Sequence, residues 1–181
     1  MRQPLVSLSL GAKLALAFVS ASSYGLLTFL SERSEALDAI LSRANSGLHL
    51  IALVFGLLVM VPYVVPTGRW ALRTAAMCVS SAAIYYAAVR FVADGPLGYD
   101  TITSFVLSGA GAALLVGLAV VMLGPRQFTA KLIPLMLVAG AAGGVVFEHK
   151  FSIDETMLLG HLAWQSLVCV ALHFSFRAAP A

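Results

Sequence analysis

The sequence predicts an all-α integral membrane protein, a bundle of six transmembrane helices with both termini on the cytoplasmic side. Three observations predict it. The 181 residues are 60% hydrophobic and only 10% charged, with mean hydropathy +0.95, well outside the composition of ordinary soluble domains. Six apolar runs approach the ~20 residues that a helix needs to cross the hydrocarbon core. They lie near Gly11–Leu30, Ser46–Pro66, Trp70–Ala93, Ser104–Gly124, Lys131–Phe147 and Met157–Phe176. Finally, all eight carboxylates fall in alternate connections: Glu32, Glu35 and Asp38 after the first run, Asp94 and Asp100 after the third, Glu148, Asp154 and Glu155 after the fifth. The remaining connections and the ends carry bases only, so the alternation both counts the spans and orients them. The whole chain, 1–181, reads as one polytopic domain.

Each run must be helical, because lipid offers no partner to a free backbone N–H or C=O, and the alternation of a barrel strand is missing. Orientation follows from Lys and Arg. With the N-terminus inside, the cytoplasmic side carries Arg2, Lys13, Arg69, Arg73, Arg126, Lys131 and Arg177, seven bases against the four of the other side, Arg33, Arg43, Arg90 and Lys150. The expected location is the cell inner membrane, and the net charge of +3 follows from topology without implying nucleic-acid binding. A rival reading makes the first run a cleaved secretory signal, with Val19, Ser20 and Ala21 as the small-residue site. Apolar character continues to Leu30, which favours a span.

Taken in order, the first span carries Ser20, Tyr24 and Thr28 at every fourth position, with Ser23 beside them. After it, Leu37, Ile40, Leu41 and Ala44 have the spacing of a short amphipathic helix lying on the outer interface, or of an early start to the second span. The second span opens on His49 and holds Pro62 near its end, where a kink or a stop is expected. On the third, Thr74, Cys78, Ser81 and Tyr85 make another polar stripe. The fourth bears Gly109, Ala113 and Gly117 as a small-residue ridge, with Ser108 and Ala112 alongside. The fifth answers with Gly140 and Gly144. Removing side-chain bulk lets helix backbones approach, so these ridges predict close packing within the chain or between copies. The sixth places His161, Gln165, Cys169 and His173 at successive fourth positions, a polar seam opposite an apolar back of Ala163, Trp164, Leu167, Val168, Val170, Ala171 and Phe174.

Polar groups within a bilayer face the bundle or a wet cavity, so the candidate ligand or seam residues are His161, Gln165, Cys169, His173, Ser20, Tyr24, Ser81 and Tyr85. Such seams also occur purely as interhelical glue. No carboxylate lies within a span, which argues against a proton relay. Cys78 and Cys169 lie within spans and form no CxxC pair, excluding quinone-coupled disulfide exchange. The Gly140–Gly144 string lacks GxxxxGK[ST], and Ser108-Gly109-Ala110-Gly111 lacks the GxSxG frame. His49, His149 and His161 lie toward the acidic side, where imidazoles and carboxylates could hold a metal, and His49 with His161 is the best-matched pair for haem b.

The stretch His161-Leu162-Ala163-Trp164-Gln165 resembles the HxxxH helix of the alkaline ceramidase and adiponectin-receptor group, membrane hydrolases that bind zinc through three histidines. The resemblance covers about fifteen residues, and Gln165 stands where the second histidine would be. The expectation is therefore a small multi-pass protein without catalytic chemistry and without a cofactor. It moves a small neutral solute or lipid, or acts as a membrane subunit of a larger assembly, with the bilayer, a second copy or another membrane protein as partner. The competing expectation is an intramembrane metal- or haem-dependent enzyme.

Overall fold

The computed structural model describes residues 8–36, 39, 46–63, 69–94, 102–123, 129–148 and 153–176. Among them the chain is helical apart from short turns and ends, with no strand: α1 Leu10–Ser31, α2 Ser46–Phe55, α3 Trp70–Asp94, α4 Ile102–Leu123, α5 Leu132–Glu148 and α6 Ile153–Ser175. Four helical stretches, α1, α3, α4 and Met157–Ser175 of α6, are long and apolar enough to cross a membrane, and Leu50–Tyr63 and α5 are shorter apolar helices. Large apolar side chains on the outside, such as Leu72, Met122 and Val138, each more than 60% exposed, give the bundle the surface that lipid solvates and water does not.

Boundaries follow local chemistry. The Ser9 hydroxyl caps α1 by accepting from the Ala12 N–H at 3.2 Å, satisfying one of the free donors of a first turn. α2 does not end as a plain α-helix. It widens into a π-helical turn at Gly56–Met60 and then tightens into a 3₁₀ turn at Val61–Tyr63. Pro62 lies in that last turn, where its missing N–H forbids another α-helical bond. The second apolar run thus keeps helical structure to Tyr63, and the rest of it, to the expected edge at Pro66, lies outside the described residues. The stretch with Leu37, Ile40, Leu41 and Ala44 lies outside the described residues.

Each helix packs on its neighbours in sequence, and α6 returns to pack on α1, closing a ring of six. Neighbours run antiparallel. Ser81 of α3 meets Ala52 of α2, and the preceding turn of α3, at Cys78, meets Gly56. Lys13 at the start of α1 reaches His173 at the end of α6, whereas Tyr24 lies against His161. The alternation gathers like ends together. One end carries Lys13, Arg69, Arg73 and Lys131. The other holds every described carboxylate, with Arg33 and the exposed Arg90–Asp94 pair at 2.8 Å.

The tightest seam joins α4 to α5. A side chain on Gly140 would collide with the Gly109 carbonyl, one on Gly109 with the Gly140 carbonyl, and one on Gly144 with that of Phe105. The two ridges read from the sequence therefore face each other inside this chain. α5 turns Gly143 to α6, where a Cβ would lie 2.7 Å from Trp164, and Gly160 of α6 receives the Phe147 ring. The apolar back expected for α6 is consequently partly enclosed: Trp164, Val168 and Ala171 are buried, whereas Phe174 is 58% exposed. The reason is that α6 packs on both α5 and α1, which cover two sides of the helix rather than one.

Candidate functional site: a cavity at the acidic end of the ring

A cavity of about 320 Å³ opens between α2, α3, α4, α5 and α6. It exists because α3 and α6 do not pack directly on each other. Their connection is a hydrogen bond of 2.9 Å between the Tyr85 hydroxyl and His161 Nε2. The lining runs from Val92 and Ala93 at the end of α3 and Met157 at the start of α6 down to Ser81, Val116 and Gln165. The cavity thus runs from the carboxylate-bearing end to about the middle of the bundle, with Val116 just past the midpoint of α4. With a rise of about 1.5 Å per residue, Tyr85 and His161 lie roughly 12–14 Å in from the ends of their helices.

His161 is enclosed, with 1% of its surface exposed. Tyr85 stacks on it at a centroid distance of 5.5 Å, Phe147 meets it edge-on at 5.3 Å, and Tyr24 of α1 lies 5.5 Å away on a tilted plane. This ring cage fixes the imidazole orientation and directs Nε2 at the tyrosine oxygen. Gln165, one turn deeper, is also buried, and its Oε1 has no hydrogen-bond partner. An unpaired buried acceptor costs about 1–3 kcal/mol, so the structure retains it against its own stability.

Three other polar groups around the cavity tie neighbouring helices together. Ser81 donates to the Ala52 carbonyl of α2 at 2.5 Å and Ser108 to the Ala88 carbonyl of α3 at 2.9 Å. The Trp164 indole donates to the Gly109 carbonyl at 3.2 Å. On α1, Ser20 is buried with its hydroxyl unpartnered, while Ser23 and Thr28 bond to their own helix, to the carbonyls of Ser20 and Tyr24. Among the predicted seam residues, the structure thus brings Ser81, Tyr85, His161 and Gln165 to the cavity, with Tyr24 behind the imidazole. It does not bring Cys169 and His173 there.

Those two belong to the basic half. Cys169 is buried as an apolar packing residue. His173 Nδ1 lies 3.3 Å from Lys13 Nζ, and because an ammonium can only donate, the imidazole accepts at Nδ1. The Lys13 ammonium, 8% exposed, also sits 4.5 Å above the Tyr63 ring centre, and Phe176 packs on that ring at 5.3 Å. Buried cations need such partners.

Among the described residues, no three His, Cys, Asp or Glu side chains gather as a metal-binding group. The His49 side chain and His149 lie outside the described residues, so the outer-rim metal and haem b expectations are placed only as far as His161, whose Nε2 faces Tyr85. Sequence reasoning passed over Phe55, Phe105, Phe147 and Trp164, all of which line the cavity. A signal existed for Trp164: a buried indole N–H requires an acceptor, and that requirement turns the ring inward. The chain matches no protein-family model, no curated protein and no solved structure.

Proposed function

We propose that this chain is a six-span protein of the cell inner membrane, with both termini cytoplasmic, that binds a small neutral ligand in its acid-end cavity and serves to hold or move it. The cavity is the observation that carries the reading. No charged side chain lines it, which favours a neutral occupant, since an ion without a partner is expensive to desolvate. Its volume is at the low end of ligand pockets, which run from ~300 to 1,000 Å³, and is too small to enclose a lipid with two acyl chains. The segregation of carboxylates and bases onto opposite ends supports the N-inside orientation through the excess of Lys and Arg on one side. Six antiparallel helices in a closed ring support six crossings, with α2 and α5 accommodated by local thinning of the bilayer.

Two measurements test the parts separately. Cysteine placed at Ser34 should react with an impermeant thiol reagent from outside intact cells, and cysteine at Ala130 should not; the reverse pattern would overturn the orientation. For the cavity, organic extracts of the purified full chain and of a Val89→Trp variant, which fills the space, should differ by a small neutral compound. Identical extracts, with no ligand lost on filling, would remove the support for a binding role.

A further inference from the structure

We infer that the cavity selects a flat, uncharged ring compound carrying one hydroxyl-sized polar group. This rests on the proposed binding role and adds the chemistry of the ligand. Rings line the cavity out of proportion. Phe55, Tyr85, Phe105, Phe147, His161 and Trp164 contribute to it, in a chain whose 181 residues include only 10 Phe, 5 Tyr, 2 Trp and 4 His. Flat faces and edges make favourable contacts with another flat ring, in stacked or edge-on arrangements that a saturated ligand cannot reproduce.

The polar complement is equally selective. An uncharged imidazole and a phenol hold two hydrogen-bonding protons between them. Their mutual bond at 2.9 Å consumes one, and whichever tautomer is present, the other remains for a third group. Ser81, Ser108 and Trp164 have their protons committed to backbone carbonyls. Gln165 adds an amide whose oxygen lacks a partner. A group that can accept one hydrogen bond and donate another, as a hydroxyl does, matches this set. A carboxylate or ammonium would meet no opposite charge. The polar side chains lie deep, whereas the lining near the helix ends is Val92, Ala93 and Met157. This polarity is inverted relative to a leaflet, and it seats the ligand with its polar group inward.

The test uses three probes with the same two-ring skeleton: 1-naphthol, naphthalene and decahydro-1-naphthol. Binding to the detergent-purified full chain is measured by calorimetry, with Val89→Trp, and the milder Ala88→Leu should that variant not fold, as filled-cavity references that account for partition into the micelle. The expected order is 1-naphthol, then naphthalene, then decahydro-1-naphthol, with specific binding abolished on filling. Tyr85→Phe keeps the ring and removes the hydroxyl. It should weaken 1-naphthol about tenfold, the equivalent of one hydrogen bond, and leave naphthalene unchanged. Decahydro-1-naphthol binding as well as 1-naphthol would overturn the ring selectivity while leaving the cavity as a binding site. Equal losses for 1-naphthol and naphthalene in Tyr85→Phe would overturn the polar assignment. Binding of all three unaffected by filling would count against the cavity itself.

Discussion

The α4–α5 seam and the α3–α6 gap are opposite solutions to helix association in the same small bundle. Along the first, Gly109, Gly140 and Gly144 leave so little bulk that backbone lies on backbone, and a single methyl at Gly109 or Gly140 would strike the facing carbonyl. Across the second, large rings hold the helices apart, and one hydrogen bond from Tyr85 to His161 spans the opening. Because lipid is as apolar as the side chains it would replace, burial alone does not drive helices together in a membrane. Packing contacts and hydrogen bonds do. A seam rich in contacts can therefore fix the fold while a gap poor in them remains available for a ligand. The close-packed region and the open one are separated by side-chain volume.

Breaking the seam should have the largest effect. Gly140→Leu forces a bulky side chain into the Gly109 carbonyl and should cost about 3 kcal/mol or more, the upper range for overpacking, read as loss of folded protein in detergent extracts. Leu137→Ile, on the exposed side of the same helix, conserves volume and should leave the yield unchanged. Equal behaviour of the two would mean that the glycine ridge faces lipid.

Next in size are the hydrogen bonds that tie neighbouring helices. Ser81→Ala removes the bond to the Ala52 carbonyl and should lower stability by about 0.6–1.7 kcal/mol, the range for such bonds between membrane helices. Tyr85→Phe should fall at the low end of that range, since α3 and α6 make few other contacts to lose. A Tyr85→Phe loss exceeding that of Ser81→Ala, in thermal melts, would make the gap a structural joint. Gln165→Leu sharpens the contrast by its sign. Its Oε1 has no partner, so an apolar replacement of similar size should leave the melting temperature unchanged or raise it, with a gain of up to about 1 kcal/mol. Destabilisation would show that Gln165 glues helices together.

The sequence is unequally informative about these regions, for a physical reason. The helices, their ends and the segregation of Glu148, Asp94 and Glu32 from Lys131 and Arg73 are properties of single segments, and apolar run length with charge position exposes them. The glycine ridges are legible too, because small residues at i and i+4 have one common use in lipid. The cavity belongs to no segment. It arises from which helices fail to touch, and a helical wheel cannot tell whether His161 faces α1, α3 or α5. Trp164 shows the limit: it reads as lipid-facing from the pattern around it, yet α5 removes bulk at Gly143 to receive it. Ser81 and Tyr85 lie in one stripe but serve different partners, Ala52 of α2 and His161 of α6, a divergence that spacing alone cannot reveal.

The account rests most directly on the claim that α3 and α6 stand apart around a real space while α4 and α5 do not. Xenon enters dry apolar cavities and is easily located by its electron density. In crystals of the full chain equilibrated under xenon pressure, an ordered atom is predicted beside Ala88 and Ala112, with none between Gly109 and Gly140. An empty, closed contact between α3 and α6, with side chains packed where the xenon should be, would contradict the account.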